Sequence, residues 1–297
     1  MKTRSNLIKG VTIYIPDKNE NIVNVLNGLI ERLDQENVKI YDIIKIKEVF
    51  DDINLLSGQI PQLESRGDLA IAIGGDGTVL KTLLMVRDKE MPILAIGLGE
   101  LNFMSSTDKT SYLEDLDKLF QGRFYIRSEM RLDVKVSDTE LEIPPILNEV
   151  LYHSSKIGKT LLPIVKIRMR NYVEYLWSVK SDGVLVSTPI GSTAYSYAAG
   201  GPILDTDLEA IVITPLTPTT KIPSYVVNPD TKIFLTAERL RSNPSIVLDG
   251  QVIIDLDWTQ EVEVSKSSKP AHIITFQKNT NMIRMKRVAE RYGGVRE

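Results

Sequence analysis

The first third of the chain alternates between strand-like and helix-like patterns, and this alternation constrains the fold more than any other feature. The buried-strand run GVTIYIP over residues 10–16 precedes apolar residues at helical spacing. The same order recurs through DLAIAIGGDG, TVLKTLLMV and PILAIGLG, up to a helical pattern over residues 110–122. Strands that alternate with helices form a parallel sheet with crossover helices. The sequence therefore predicts an α/β N-terminal domain with a Rossmann-like parallel sheet over residues 1–126.

The pattern changes after about Arg127. Strand-like segments then follow one another with few helical patterns between them, from RLDVKV through PIVKIRMR and GVLVST to HIITF. This succession predicts a β-rich, mostly antiparallel C-terminal domain over residues 127–277. We expect the basic, helix-like tail over residues 278–297 to pack back on the first domain.

Charge and composition exclude several classes of function. With 36 Lys and Arg against 39 Asp and Glu, the formal net charge is −3, so we expect neither nucleic acid nor membrane as a partner. The chain has no cysteine, which excludes thiolate nucleophiles and Cys-ligated zinc, and its two histidines fit no metal-ligand spacing. No apolar run approaches the roughly 18 residues of a membrane span, and no signal-type stretch is present, so we expect a cytoplasmic protein.

The segment AIAIGGDGTVL carries the clearest functional signal. Its glycines stand at the end of a strand and just before a helix, where open parallel sheets bind their ligands. Gly74, Gly75, Gly77 and Thr78 are therefore expected around a phosphate, because glycine allows close approach and the helix dipole favours an anion. Asp76 would repel a phosphate, so we expect its carboxylate to accept a proton from a hydroxyl or to help hold Mg²⁺. Phosphoryl transfer requires this arrangement.

A simpler interpretation of the motif remains open, because Asp-Gly pairs are common in turns. Two other phosphate motifs are absent. The Gly-Lys-Thr at residues 158–160 lacks a Walker A glycine, since His153 stands in its place. The run GLGELN ends in Asn102 and so lacks the dinucleotide fingerprint.

A second cluster, SDGVLVSTPIGSTAYSYAAGGPI, covers residues 181–203. Its small residues suit close approach to a flat ligand, with Tyr195 available for stacking. Alternatively, Ser192 or Thr193 caps a helix. Two shorter signals, Asn-Glu at residues 148–149 and Asp-Gly-Gln at residues 249–251, would each be interpreted alone as a turn or a satisfied polar pair.

Together, GGDGT, Asn148-Glu149, the segment from Asp182 to Pro202 that contains Ser192-Thr193-Ala194-Tyr195 (the STAY segment) and Asp-Gly-Gln resemble the NAD kinase family, which phosphorylates the 2′-hydroxyl of the adenosine ribose of NAD to give NADP. GGDGT alone is shared with lipid kinases and phosphofructokinases, but the combination in this order is more specific. The resemblance spans nearly the whole chain, and the family's architecture, an α/β domain followed by a β-rich domain, agrees with the pattern above.

The resemblance implies a role for each matching position. Asp76 would be the general base, and Asn148 and Glu149 would contact the ribose and diphosphate of NAD. Asp182 would approach the nicotinamide end. The expected phosphate- and substrate-binding set is Gly74, Gly75, Gly77, Thr78, Phe103, Asn148, Glu149, Lys180, Asp182, Thr193, Ala194, Tyr195, Ser196 and Gln251. Of these, residues 193–195 would line the adenine site.

The resemblance also implies partners. The phosphate donor would be ATP, another nucleoside triphosphate or polyphosphate, bound with Mg²⁺, and the ligands would include NAD(H) and NADP. A homodimer or homotetramer is expected. Two rival functions stay open: a lipid or sugar kinase that shares only GGDGT, and a non-catalytic NAD(P)-binding sensor. The long STAY segment argues against the first, and Asp76, which binding alone does not need, argues against the second.

Overall fold

The computed structural model describes residues 8–17, 19–51, 66–87, 90–99, 103–170, 172–239 and 242–278, which divide into two compact units. Unit 1 contains the described residues up to Glu129 and those from Ala271 onward, and unit 2 contains Met130–Pro270. The predicted C-terminal helix lies outside the described residues. Among the residues described, no helix is long and apolar enough to cross a membrane.

Unit 1 is built on one seven-stranded sheet with the order β2-β1-β3-β4-β18-β6, in which the short β5 also pairs with β4. All its pairings are parallel except that between β18 and β6. The elements are β1 Gly10–Ile15, α1 Glu20–Gln35, β2 Lys39–Lys45, α2 Ile46–Asp51, β3 Leu69–Gly74, α3 Asp76–Val86, β4 Ile93–Gly97, β5 Thr107–Asp108, α4 Tyr112–Phe120, β6 Tyr125–Glu129 and β18 Ala271–Thr275.

The apolar patterns explain these elements. Every residue of β1, β3 and β4 is buried, as expected for central parallel strands covered on both faces. Helix α1 begins after Asn19, whose side chain accepts the Ile22 N–H at 3.0 Å, and it buries one apolar stripe that runs from Ile22 to Leu33. The predicted α/β N-terminal domain with a parallel sheet is confirmed.

One strand differs from the sequence interpretation. The run HIITF, which the sequence pattern grouped with the antiparallel half, forms β18 in the sheet of unit 1. Ile273 pairs parallel with Ile93 of β4, and β18 also pairs antiparallel with β6. A short apolar run shows that a segment is a buried strand but does not specify which neighbour it joins, so the chain's return to the first sheet was not readable from the pattern.

Unit 2 contains two antiparallel sheets, with the orders β10-β9-β14-β17-β7 and β13-β12-β11-β8-β15-β16. This confirms the β-rich C-terminal domain. The strands are β7 Leu132–Val136, β8 Glu149–Ser154, β9 Pro163–Met169, β10 Tyr172–Ser178, β11 Gly183–Ser187, β12 Ile211–Leu216, β13 Tyr225–Val227, β14 Lys232–Ala237, β15 Pro244–Leu248, β16 Val252–Asp255 and β17 Val262–Lys266. A short helix α5, Tyr195–Ala198, follows a single 3₁₀ turn, Gly191–Thr193.

The six-stranded sheet positions three of the sequence motifs. Strand β8 lies between β11 and β15 and runs antiparallel to both, with Glu149 opposite Ser187 and Val150 opposite Leu248. The start of β8 therefore lies beside the ends of β11 and β15. This topology brings Asn148-Glu149, the Ser-Thr-Pro end of β11 and Asp-Gly-Gln to one edge of the sheet.

Candidate functional site

The turn from β3 to α3 in unit 1 carries GGDGT. Gly74 ends β3, Gly75 precedes α3 in an extended conformation, and the helix begins at Asp76. A Cβ atom on Gly74 would lie 2.3 Å from Thr78 Oγ1, so this close turn requires glycine. Gly75 and Gly77 are exposed at the helix N-terminus, where backbone N–H groups lack intrahelical partners and the dipole favours an anion.

The Asp76 carboxylate is fixed at this helix end by two backbone hydrogen bonds. It accepts the N–H of Phe103 at 3.2 Å and the N–H of Met104 at 3.1 Å, both from the segment that follows β4. Asp76 itself is only partly buried. A carboxylate held in place beside an anion-binding helix terminus can accept a proton from a hydroxyl group or contribute an oxygen to a cation.

The Asp249 carboxylate organises the second cluster of site residues, in unit 2. Asp249 accepts three successive backbone N–H groups: Leu147 at 2.9 Å, Asn148 at 2.6 Å and Glu149 at 3.2 Å. Asp249 and Gly250, with φ of 51° and 65°, begin the three-residue connection Asp249–Gln251 between β15 and β16, and these positive φ angles favour Asp-Gly. The hairpin turn thus places a buried carboxylate under the segment before β8.

Thr188 clamps the same segment from the side of β11. Its Oγ1 donates to the Leu147 carbonyl at 2.6 Å, its N–H donates to the Asn148 carbonyl at 2.9 Å, and its Oγ1 accepts the Gly191 N–H at 3.0 Å. A Cβ atom on Gly191 would lie 2.0 Å from the Asn148 carbonyl oxygen, so glycine is required there too. Hydrogen bonds to backbone groups therefore hold together three stretches that are distant in sequence: residues 147–149, residues 188–191 and the turn at Asp249.

Asn148 and Glu149 carry polar atoms without protein partners in this cluster. Both residues are 7% exposed, and no described group hydrogen-bonds to Asn148 Oδ1 or Glu149 Oε2. Burial, with the nearby charge of Asp249, raises the pKa of Glu149 to about 8. Burial also raises the pKa of Asp249, to about 6, against the lowering effect of its three N–H donors and of Arg131. Buried, unpartnered polar atoms of this kind are suited to bind a polar ligand.

The small-residue segment after β11 exposes Tyr195, at 43%, and leaves Ala194 half-buried. Two hydroxyls that are predicted to contact the ligand are also hydrogen-bonded within the fold: Thr193 Oγ1 donates to the Ile190 carbonyl at 3.0 Å, and Ser196 Oγ lies 2.9 Å from Thr214 Oγ1. The residue before α5 is Ala194, so no hydroxyl side chain caps this helix.

Asp182 and Lys180 lie at the other end of β11. Asp182 is exposed and accepts a hydrogen bond from the Thr217 hydroxyl, and the Lys180 carbonyl accepts the Thr219 N–H at 2.8 Å. Six residue steps of extended chain, about 20 Å, separate Asp182 from Thr188. Gln251 lies at the end of the sheet that carries Thr188 and Asp249, because its Nε2 donates to the Asp249 carbonyl at 3.0 Å.

Sequence reasoning missed Thr188 and Met104 and left Asp249 out of the candidate residues. Asp249 was recognisable in principle as a turn residue, because Asp-Gly between two apolar, strand-like runs indicates a hairpin. Neither Thr188 nor Met104 carries such a signal, since their partners are backbone groups that become neighbours only in the folded sheet.

The clamp predicts how Thr188 tolerates substitution. Thr188→Val keeps the side-chain volume but leaves the Leu147 carbonyl and the Gly191 N–H without their partner, so it should lower the free energy of unfolding by about 1–3 kcal/mol. Thr188→Ser keeps both hydrogen bonds and loses one methyl group, a cost of about 1 kcal/mol. Urea unfolding of the two variants checks this, and a serine variant less stable than the valine variant would show that packing dominates.

Comparisons with known proteins identify relatives that match most of the chain. Residues 6–124 match the model of the ATP-NAD kinase N-terminal domain, and residues 147–276 match that of the ATP-NAD kinase C-terminal domain. The chain is 32% identical over 273 residues to the NAD kinase of Methanosphaera stadtmanae, covering 85% of this chain and 94% of the relative. It is 34% identical over 222 residues to the NAD kinase of a Thermoanaerobacter species, covering 73% and 76%.

Two solved structures share the fold. The crystal structure of an NAD kinase from Archaeoglobus fulgidus in complex with ATP superimposes with a TM-score of 0.72 at 23% identity, covering 94% of this chain and 98% of the other. Yeast NADH kinase complexed with NADH gives 0.81 at 21% identity, covering 98% and 89%. Because two domain models together match most of the chain and a relative above 30% identity covers most of it, this chain belongs to the NAD kinase family.

Proposed function

We propose that this chain transfers the γ-phosphoryl group of ATP to the 2′-hydroxyl of the adenosine ribose of NAD, giving NADP and ADP. The observation that carries the proposal is the placement of Asp76. Its carboxylate is held by two backbone N–H groups at the start of α3, beside the exposed Gly75 and Gly77. An anion-binding helix terminus with a fixed proton acceptor is what a hydroxyl-directed phosphoryl transfer needs.

In the proposed reaction, Asp76 accepts the proton of the 2′-hydroxyl as that oxygen forms its bond to the γ-phosphorus. The bond between the γ-phosphorus and the β,γ-bridging oxygen breaks, and the electron pair leaves with ADP. The backbone N–H groups at the start of α3 and the room left by Gly75 and Gly77 favour the phosphate charge. Catalysis then consists mainly of positioning and charge stabilisation.

The donor set around Asp76 fits Mg²⁺ in the way that phosphoryl-transfer sites commonly bind it. Among the described residues no group of three or more His, Cys, Asp or Glu could hold a metal ion alone. Mg²⁺ commonly keeps several waters and takes one or two carboxylates together with substrate phosphates. We propose that it arrives with the donor, with Asp76 as the available carboxylate. When bound, it would neutralise charge on the phosphates.

The unit 2 cluster supplies the proposed contacts to NAD. Asn148 and Glu149 offer buried, unpartnered polar atoms for the ribose and diphosphate, and Tyr195 offers an exposed ring for adenine. The exposed Asp182, at the far end of β11, is assigned to the nicotinamide end. We propose ATP as donor because a family member of this fold was crystallised with it. Other nucleoside triphosphates and polyphosphate remain possible donors within the proposal.

The rival functions make different predictions. A lipid or sugar kinase would share GGDGT but has no need of the clamped Asn-Glu segment, and both matched domain models belong to NAD kinases. An NAD(P)-binding sensor would bind NAD without turnover. An assay for NADP formation with NAD, Mg²⁺ and ATP, and with polyphosphate in parallel, separates these functions. Formation of NADP supports the proposal, and binding of NAD without product from any donor would favour the sensor.

Replacing the proposed base should slow turnover strongly while leaving NAD binding nearly unchanged. Asp76→Asn keeps the size of the side chain but cannot accept the proton, so kcat should fall by roughly 10²–10⁴-fold. The dissociation constant of NAD should change little. Steady-state NADP formation and equilibrium NAD binding measure the two effects.

The matched control is Asp230→Asn, which changes an exposed aspartate in the turn between β13 and β14 and should leave both quantities unchanged. An Asp76→Asn variant with wild-type turnover would contradict the assignment of Asp76 as the base.

The exposed ring of Tyr195 should act in binding rather than in chemistry. Tyr195→Ala removes the stacking surface, so it should raise the KM for NAD more than it lowers kcat. Tyr195→Phe keeps the ring and should stay close to wild type in KM. If Tyr195→Ala instead lowered kcat at unchanged KM, Tyr195 would belong with the reacting groups.

We also propose that the chain forms a homodimer or homotetramer. Edge strand β10 pairs only with β9 among the described strands, and it exposes Tyr172, Val173 and Tyr175. A long apolar edge of this kind favours pairing with another chain. Tyr175→Lys should shift the species seen in sedimentation velocity toward a smaller mass. The control Ile157→Lys changes a fully exposed turn residue, and an identical effect of the two variants would place the interface elsewhere.

A further inference from the structure

We propose that Glu149 binds its ligand as a neutral carboxylic acid that donates a hydrogen bond, and that burial and the positioning residue Asp249 together keep it neutral. The proposal deepens the proposed function and relies on it for the identity of the ligand, whose ribose and diphosphate oxygens would accept this hydrogen bond. The charge state of Glu149 itself is a property of the free protein.

The distribution of donors decides which of the two carboxyl groups keeps a proton. Asp249 accepts three backbone N–H groups, including the N–H of Glu149 itself, and the positive charge of Arg131 also stabilises its anion. No described group hydrogen-bonds to Glu149 Oε2. A buried carboxylate with donors favours ionisation, and a buried carboxyl without them favours protonation. The Asp249 anion then opposes a second negative charge beside it.

The groups that face Glu149 from neighbouring elements reinforce this assignment. Ser187 stands directly opposite on β11 and is uncharged, and the turn after β15 contributes only Asp249. The guanidinium of Arg131 is directed to the carbonyls of Lys269 and Pro270, at 2.6 and 3.3 Å. Among the described residues, Asp249 is thus the charged group that acts on Glu149, and it raises the pKa of Glu149 beyond the effect of burial alone.

A neutral Glu149 changes what the site can bind. An ionised carboxylate only accepts hydrogen bonds and repels a diphosphate, whereas a carboxylic acid donates one hydrogen bond through its O–H. The Asn148 side chain beside it can also donate through its amide. The segment clamped by Asp249 and Thr188 therefore presents donors, and no net charge, to an anionic ligand.

Thermal unfolding without any substrate tests the charge state. The pKa of Glu149 is about 8 in the folded protein against an ordinary 4.5, so its protonated form stabilises the fold at low pH. This contribution declines as pH rises from about 4.5 and is lost above about 8. Between pH 5 and pH 9 the wild-type Tm should fall by several degrees more than the Tm of Glu149→Gln, which cannot ionise. The control Glu140→Gln, at an exposed position, should follow wild type.

Kinetics test the role in binding. With ATP saturating, kcat/KM for NAD reports groups of the free enzyme, so in wild type it should fall about tenfold per pH unit above pH 8. In Glu149→Gln, whose amide still donates a hydrogen bond, this decline should be absent. Parallel Tm curves and parallel kcat/KM profiles for the two proteins would overturn the proposal. Absence of NADP formation would overturn the proposed function instead, and the Tm comparison would still decide the charge of Glu149.

A double substitution isolates the contribution of Asp249. Asp249→Asn removes the anion that opposes ionisation of Glu149, so kcat/KM for NAD at pH 7 should fall, by about twofold if the pKa of Glu149 drops by about one unit. Adding Glu149→Gln bypasses this effect, so the double variant should exceed Asp249→Asn in kcat/KM. If the fold losses in kcat/KM of the two single variants simply multiply in the double variant, Asp249 has a structural role only. If Asp249→Asn does not fold, the Tm and kcat/KM comparisons of wild type with Glu149→Gln decide the proposal.

Discussion

The buried carboxylate of Asp249 is the interaction on which the order of unit 2 depends. Three successive N–H groups at residues 147–149 point to it, although they lie about a hundred positions earlier in the chain. Backbone donors at the start of a buried strand must find an acceptor or lose stability. By supplying that acceptor from a hairpin turn, Asp249 fixes Asn148 and Glu149 and leaves their side chains for a ligand.

In unit 1 a carboxylate also accepts backbone N–H groups from a distant segment, but this carboxylate stays accessible. Asp76 also accepts backbone N–H groups from a distant segment, those of Phe103 and Met104. Asp249 is enclosed, but Asp76 is only partly buried and stands at a helix N-terminus. The enclosed carboxylate can act only through its neighbours Asn148 and Glu149, whereas the accessible one stays available to a substrate hydroxyl. Environment, rather than residue type, separates the proposed base from the positioning residue.

The sequence alone predicted the features that rest on local patterns. The strand, glycine turn and helix around Asp76 follow from apolar runs and glycine placement, and the change to antiparallel strands follows from the loss of helical periodicity. Features that depend on long-range pairing were not predictable. The sequence does not indicate that β18 pairs with β4, and it does not show that Ser196 hydrogen-bonds to Thr214. Strand β8 was missed because its polar start reads as a turn until Asp249 and Thr188 are placed beside it.

The most direct test of the account is the identity of the acceptor oxygen. The purified protein would be incubated with ATP and Mg²⁺ and with either NAD or its 2′-deoxy analogue on the adenosine ribose, and the products would be examined by ³¹P NMR. The account predicts a new 2′-phosphomonoester from NAD and no phosphorylated product from the analogue. Phosphorylation of the 2′-deoxy analogue, or no phosphorylation of NAD, would contradict it.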